Sequence, residues 1–133
     1  MKSGLVSLLA NEATISAIVS TRIYVSKAPQ GATLPHIVIT QIGSNENQTL
    51  DGTTGLRFVD FDIDCKDDRS VGAETLGDAV RVFMDDASGT AGSQTIDAVL
   101  MNDESTDYEP PVDGSDKGVH VVLLDVTIQY VPA

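Results

Sequence analysis

Ten residues, Leu56 to Cys65, constrain the fold more than any other part of the chain. Val59, Phe61, Ile63 and Cys65 alternate with Asp60, Asp62 and Asp64, and a period of two is the geometry of a strand with one face on a core and the other in water. The alternation returns in Gly118 to Val131, where Val122, Leu124, Val126, Ile128 and Tyr130 oppose Asp125, Thr127 and Gln129. A sheet that is apolar on one face needs a cover for it. The cover is read between about Arg69 and Met84, where Leu76, Ala79, Val80 and Phe83 recur at helical spacing. Asp67, Asp68 and Ser70 offer N-cap oxygens before it, and Asp85, Asp86, Ser88 and Gly89 close it.

The other segments are shorter. Ser3 to Ala10 reads as a helix with Leu5, Leu8 and Leu9 on one side, and Thr14 to Val19 as a second helical turn capped by Thr14. Ile23 to Val25 is a brief strand. Two prolines and a glycine between Ala28 and Pro35 predict a loop, and the β-branched run His36 to Ile42 a strand. Asn45 to Gly55 is a long hairpin connection or a flexible loop, Gly89 to Ser93 a mobile turn, Thr95 to Met101 a strand, and Asn102 to Lys117 a loop. Together these predict a single α+β domain over residues 1–133. Its sheet has four or five mostly antiparallel strands, with one main helix and the short N-terminal helices packed on it.

Charge narrows the function. The chain holds 20 acids and 8 bases, a net charge of −12. That excludes a protein that grips DNA or an anionic membrane through cationic side chains. The imbalance is local: residues 1–45 contain Lys2, Arg22 and Lys27 against Glu12 alone, a net +2, so the remainder carries −14. Cys65 is the only cysteine, which rules out an internal disulfide and a thiolate zinc cage. Met1 to Ala10 lacks the uninterrupted apolar run of a signal peptide, and no window approaches the roughly 18 apolar residues of a membrane span. Synthesis in a reducing cytoplasm is expected.

Catalytic and metal chemistry find little support. The Asp60, Asp62, Asp64 row could attract a hard cation, but i and i+2 side chains on a strand stand about 6.5–7 Å apart and form no cage alone. The acids Asp103, Glu104, Asp107, Glu109, Asp113 and Asp116 do not follow the calcium-loop pattern. His36 and His120 have no adjacent nucleophile in a catalytic pattern, and Gly89 to Ser93 lacks the lysine of a phosphate loop. Cys65, on the apolar side of its strand, reads as a core residue. Neither a cofactor nor a catalytic residue is expected.

Several segments, taken in order, carry a resemblance. They are a Leu/Ala-rich N-terminal helix, Arg22-Ile23-Tyr24, the Ala28-Pro29-Gln30-Gly31-Ala32 to Leu34-Pro35 loop running into His36-Ile37-Val38-Ile39, and Leu50-Asp51-Gly52. There follow the Val59 to Cys65 strand, an Ala/Leu helix, and Asp107-Tyr108-Glu109-Pro110 before a closing strand. From about Leu5 to Tyr130 this order resembles the tail-completion proteins of long-tailed bacteriophages, a family similar to the tail terminator of phage lambda. The resemblance implies a structural virion protein made in the host cytoplasm. It would form a ring, expected to be hexameric, at the head-proximal end of the tail, stop polymerisation of the tail tube protein and dock to the head connector.

Such a ring is threaded by DNA without binding it, and lumenal carboxylates repel phosphate. The expected channel-facing residues are Asp60, Asp62, Asp64, Asp103, Glu104 and Asp107. Copies this acidic need cation–carboxylate contacts between subunits, for which Arg22, Arg57, Arg69, Arg81, Asp51 and Tyr108 are the candidates; assembly should then depend on salt. The alternative is an acidic DNA mimic that inhibits a nucleic-acid-binding enzyme. A mimic would spread its acids over one continuous surface, and a +2 segment of 45 residues speaks against that.

Overall fold

In the computed structural model the described residues are 2–29, 31–49, 52–85, 87, 89–91, 94–111 and 118–131. The chain opens with helices α1 (Lys2–Asn11) and α2 (Ala13–Val19), the short strand β1 (Ile23–Val25), and the long strands β2 (His36–Thr49) and β3 (Gly52–Asp67). The main helix α3 (Ser70–Asp85) follows, then β4 (Gly89–Ala91), β5 (Gln94–Glu109) and β6 (Val119–Val131). The strands form one sheet in the order β1-β2-β3-β6-β5-β4. Every pairing is antiparallel except β1 with β2. The α+β class, the mostly antiparallel sheet and the single main helix are those read from the sequence: four long strands carry the sheet, and a three-residue strand adds to each side.

All three helices cover the same face. Phe61, Ile63 and Cys65 of β3 and Leu124, Val126 and Ile128 of β6 are wholly buried there against Leu5, Leu9, Ile15, Leu76, Val80 and Met84. Burial of this kind stabilises by about 1.5–3 kcal/mol for each large side chain. Two glycines let α3 lie close. A Cβ on Gly77 would stand 2.7 Å from Cγ1 of Val122, and one on Gly72 would overlap the Asp67 carboxylate. Among the described residues no helix is long and apolar enough to cross a membrane.

Several local expectations are corrected. Glu12, rather than Thr14, caps α2: its backbone is extended and its carboxylate accepts the Thr14 amide proton at 3.4 Å. The helix therefore begins a residue early, because the Glu12 carboxylate satisfies the amide of Thr14, one of the orphan donors of the first turn. Asn45 to Gly55 is no loose loop, since β2 runs to Thr49 and β3 restarts at Gly52; Leu50 and Asp51 lie outside the described residues. Gly89 to Ala91 is a strand paired with Ile96 to Gln94, while Gly92 and Ser93 are outside the described residues.

The largest correction is β5. The sequence places Asn102 to Lys117 in a loop, yet as far as Glu109 this segment continues the strand, opposite Asp125 to Val119. The apolar strand β6 supplies the hydrogen-bond ladder, so the acidic partner needs no apolar pattern of its own, and tertiary pairing overrides propensity. Residues 112–117, with Asp113 and Asp116, lie outside the described residues.

Candidate functional site

The face of the sheet turned away from the helices is acidic, and strand register builds it. On β3 the even positions Asp60, Asp62 and Asp64 point away from the core, as the alternation requires. Register sets Asp62 beside Asp125 of β6, and Asp125 beside Asp103 of β5. Three carboxylates thus stand in one row across three strands, where directly opposed Cβ atoms lie about 4.5–5.5 Å apart. Asp60 flanks the row on one side and Asp64 on the other. Asp60, Asp62 and Asp125, with Ile42, Asn102 and Thr127, line a shallow depression of about 430 Å³.

These carboxylates are held in place at some electrostatic cost. The Thr127 hydroxyl donates to Asp60 Oδ1 at 2.5 Å and accepts from the Asn102 amide at 2.7 Å. Partial burial raises the Asp62 pKa above its ordinary value, and the nearby Asp125 raises it further. Burial likewise raises that of Asp64; Lys66 opposes the rise, and Asp62 and Glu109 add to it. Asp64 Oδ1 is buried without a hydrogen-bond partner among the described residues. Unpaired carboxylates that resist ionisation contribute nothing to folding. Among the described residues no three His, Cys, Asp or Glu side chains converge as metal ligands do.

The other residues singled out from the sequence are dispersed. By register Asp107 shares the open face, opposite Val121. Glu104 lies on the helix side, where its Oε1 is 3.3 Å from the Arg81 guanidinium of α3. Arg22 directs its guanidinium inward, donating to the Pro35 carbonyl at 2.9 Å and the Ile18 carbonyl at 3.3 Å. Arg57, beside Tyr130 in the register, and Arg69, just before α3, are exposed. Tyr108 is half-exposed on β5, its ring 4.8 Å from that of His120. Asp51 lies outside the described residues.

At the upper end of the open face, Lys66 pairs with Glu109 at 2.9 Å beside a groove of about 660 Å³ under the 26–34 loop. Buried His36 lines that groove. Burial lowers its pKa, and its Nδ1 lies 3.1 Å from the Thr33 carbonyl oxygen, to which it donates. Cys65 is fully buried, and burial pushes its thiol pKa up, so it is an unreactive core side chain. Asp125 is the member of the row that sequence reasoning misses. Its only sequence signal is its polar position in an alternating strand, and nothing local reveals that it faces Asp62.

The comparisons with known proteins agree with this fold. Among solved structures, a chain of the virion of a native gene transfer agent particle superposes with a TM-score of 0.67 at 15% identity, covering 98% of this chain and 92% of that one. At that identity the likeness speaks for the fold. No curated protein matches the sequence. Residues 3–130 match the family model described as tail completion protein gp17. The chain therefore belongs to the tail completion protein gp17 family, and is a structural component of a phage-like virion, not an enzyme.

Proposed function

We propose that copies of this protein close into a ring, of six subunits, at the head-proximal end of the tail, where the ring ends polymerisation of the tail tube protein and joins the tail to the head connector. The open face of the sheet lines the DNA channel. One observation carries this reading: the sheet face without helices presents Asp60, Asp62, Asp64, Asp103 and Asp125 together, two of them with pKa values raised at the expense of the fold. A lumen of aligned carboxylates repels phosphate, so the genome slides through without adhering. Glu104, on the other side and paired with Arg81, takes no part in the lining. Between subunits, Arg57, Arg69 and Tyr108 are the exposed candidates for contacts with a neighbour, whereas Arg22 serves its own chain.

A virion reconstruction tests the placement, and native mass across ionic strength tests the assembly. The expected results are a ring at the tail's head-proximal end with these carboxylates facing the channel, and a subunit association that responds to salt. A ring whose carboxylates face outward overturns the channel reading. A monomer that inhibits a DNA-binding enzyme supports the mimic instead.

A further inference from the structure

The sheet ends in two long edges that its short strands leave open. β4 covers β5 only from Gln94 to Ile96, so among the described residues no strand lies along the outer edge of β5 from Asp97 to Glu109. At the opposite end β1 covers β2 only from Ile37 to Ile39, leaving the outer edge of β2 open from Thr40 among the described residues. Unpaired amide and carbonyl groups along such an edge are a template for another strand. The two edges differ in charge. The open span of β5 carries Asp97, Asp103, Glu104, Asp107 and Glu109 and no base. Glu104 and Glu109 hold bases of their own chain, and Asp97, Asp103 and Asp107 have no cation among the described residues. The β1–β2 edge carries far less charge: the open span of β2 from Thr40 to Thr49 holds one acid, Glu46, and exposed Lys27 follows β1. Both edges also expose apolar side chains, Leu100 and Tyr108 on one, Val25 and Ile42 on the other.

We infer that the outer edge of β5 is a docking strand for a second copy of this chain, whose β1–β2 edge it accepts head to tail. Pairing β5 with β5 sets Asp97, Asp103 and Asp107 against their own kind, and like charges across a ladder repel. Pairing it with the other edge avoids this. Three antiparallel steps separate β2 from β5, so β5 runs opposite to β2, and a copy laid alongside in the same sense meets it antiparallel. A head-to-tail contact repeats from copy to copy, and closes into a ring when the rotation per step divides a full turn. The acidic open face then becomes continuous from subunit to subunit. The inference rests on the ring reading above and names the surface that makes the ring.

Hydrogen exchange on the purified full chain, compared between the monomeric and assembled fractions, tests it. The outward-facing amides, every second residue of 97–109 and of the facing 23–25 and 40–49 edge, should gain at least tenfold protection in the assembly, with those of α3 unchanged. Single-cysteine variants fix the orientation, since Cys65 is buried: S105C or D107C mixed with Q41C or K27C should give mixed disulfide dimers, and S105C or D107C alone should give few. The exposed double variant Asp103→Lys/Asp107→Lys should keep the circular dichroism of the monomer and associate at least tenfold more weakly. A ring whose protected amides lie elsewhere, or an absence of mixed dimers in every pairing, overturns the docking strand and leaves the ring standing. Abundant S105C or D107C homodimers overturn the head-to-tail order. A monomer at every concentration overturns both readings.

Discussion

The two faces of one sheet follow opposite rules. On the covered face, Phe61, Ile63, Leu124 and Val126 are wholly excluded from water by α1, α2 and α3, and each contributes to folding. On the open face, one residue away along the same strands, Asp62, Asp125 and Asp103 stand in register, and the Asp62 carboxylate, desolvated by partial burial and set beside Asp125, works against it. Side chains that oppose folding point to a use outside the fold, and the DNA channel proposed above is such a use. The covered face explains why the chain folds; the open face bears on what the folded chain does.

Substitutions on each face test this contrast, beginning where the effect is largest. Phe61→Ala should cost about 3–5 kcal/mol, read as a lower urea midpoint, because the ring leaves a cavity beneath α3; a loss below 1 kcal/mol would mean the cover is loose. Gly77→Ala should cost about 1–3 kcal/mol by pressing a methyl on Val122, again measured by urea unfolding.

On the open face the sign should reverse. Asp62→Asn should stabilise by about 0.5 kcal/mol at most at pH 7, solvent screening keeping the effect small, by removing a carboxylate that partial burial desolvates and Asp125 repels, while impairing tail completion if the channel reading holds. The gain should shrink as the pH is lowered. A carboxyl with a raised folded pKa binds its proton more tightly in the folded state, so the wild type recovers stability as pH falls through that raised pKa. Thermal melts of both proteins from pH 7 to pH 4 follow this convergence. Asp64→Asn should behave likewise. His36 opposes the trend in both proteins: its pKa is lowered, so the stability from its neutral form is lost as pH falls through the unfolded histidine value of about 6.5. The smallest change should be Arg81→Ala. Its exposed pair with Glu104 contributes at most about 0.5 kcal/mol, and thermal melting should shift by no more than a degree or two.

Much of the fold was legible because its signals are local. Alternation in Val59 to Cys65 and in Val122 to Tyr130 marked two central strands, and the spacing of Leu76, Ala79, Val80 and Phe83 marked α3. β5 was legible only as far as Met101. Its acidic half carries no strand signal and is ordered by pairing with β6. The candidate site was half visible: the Asp60, Asp62, Asp64 row announced itself by period, while Asp125 and Asp103 joined it only through register, and Glu104 left it because neighbours on a strand point to opposite faces.

The sequence by itself determined which side of β3 and of β6 is wet, because a side chain's direction depends on its parity within one strand. It also determined that the excess of carboxylates lies beyond residue 45. Only the tertiary structure decided which wet positions meet. The contacts Asp62 with Asp125 and Asp125 with Asp103 join residues far apart in the chain, and a shift of one residue in either pairing would send those side chains to the other face. The open edges of β5 and β2 were decided at the same level, since an edge exists only once the strand order is set.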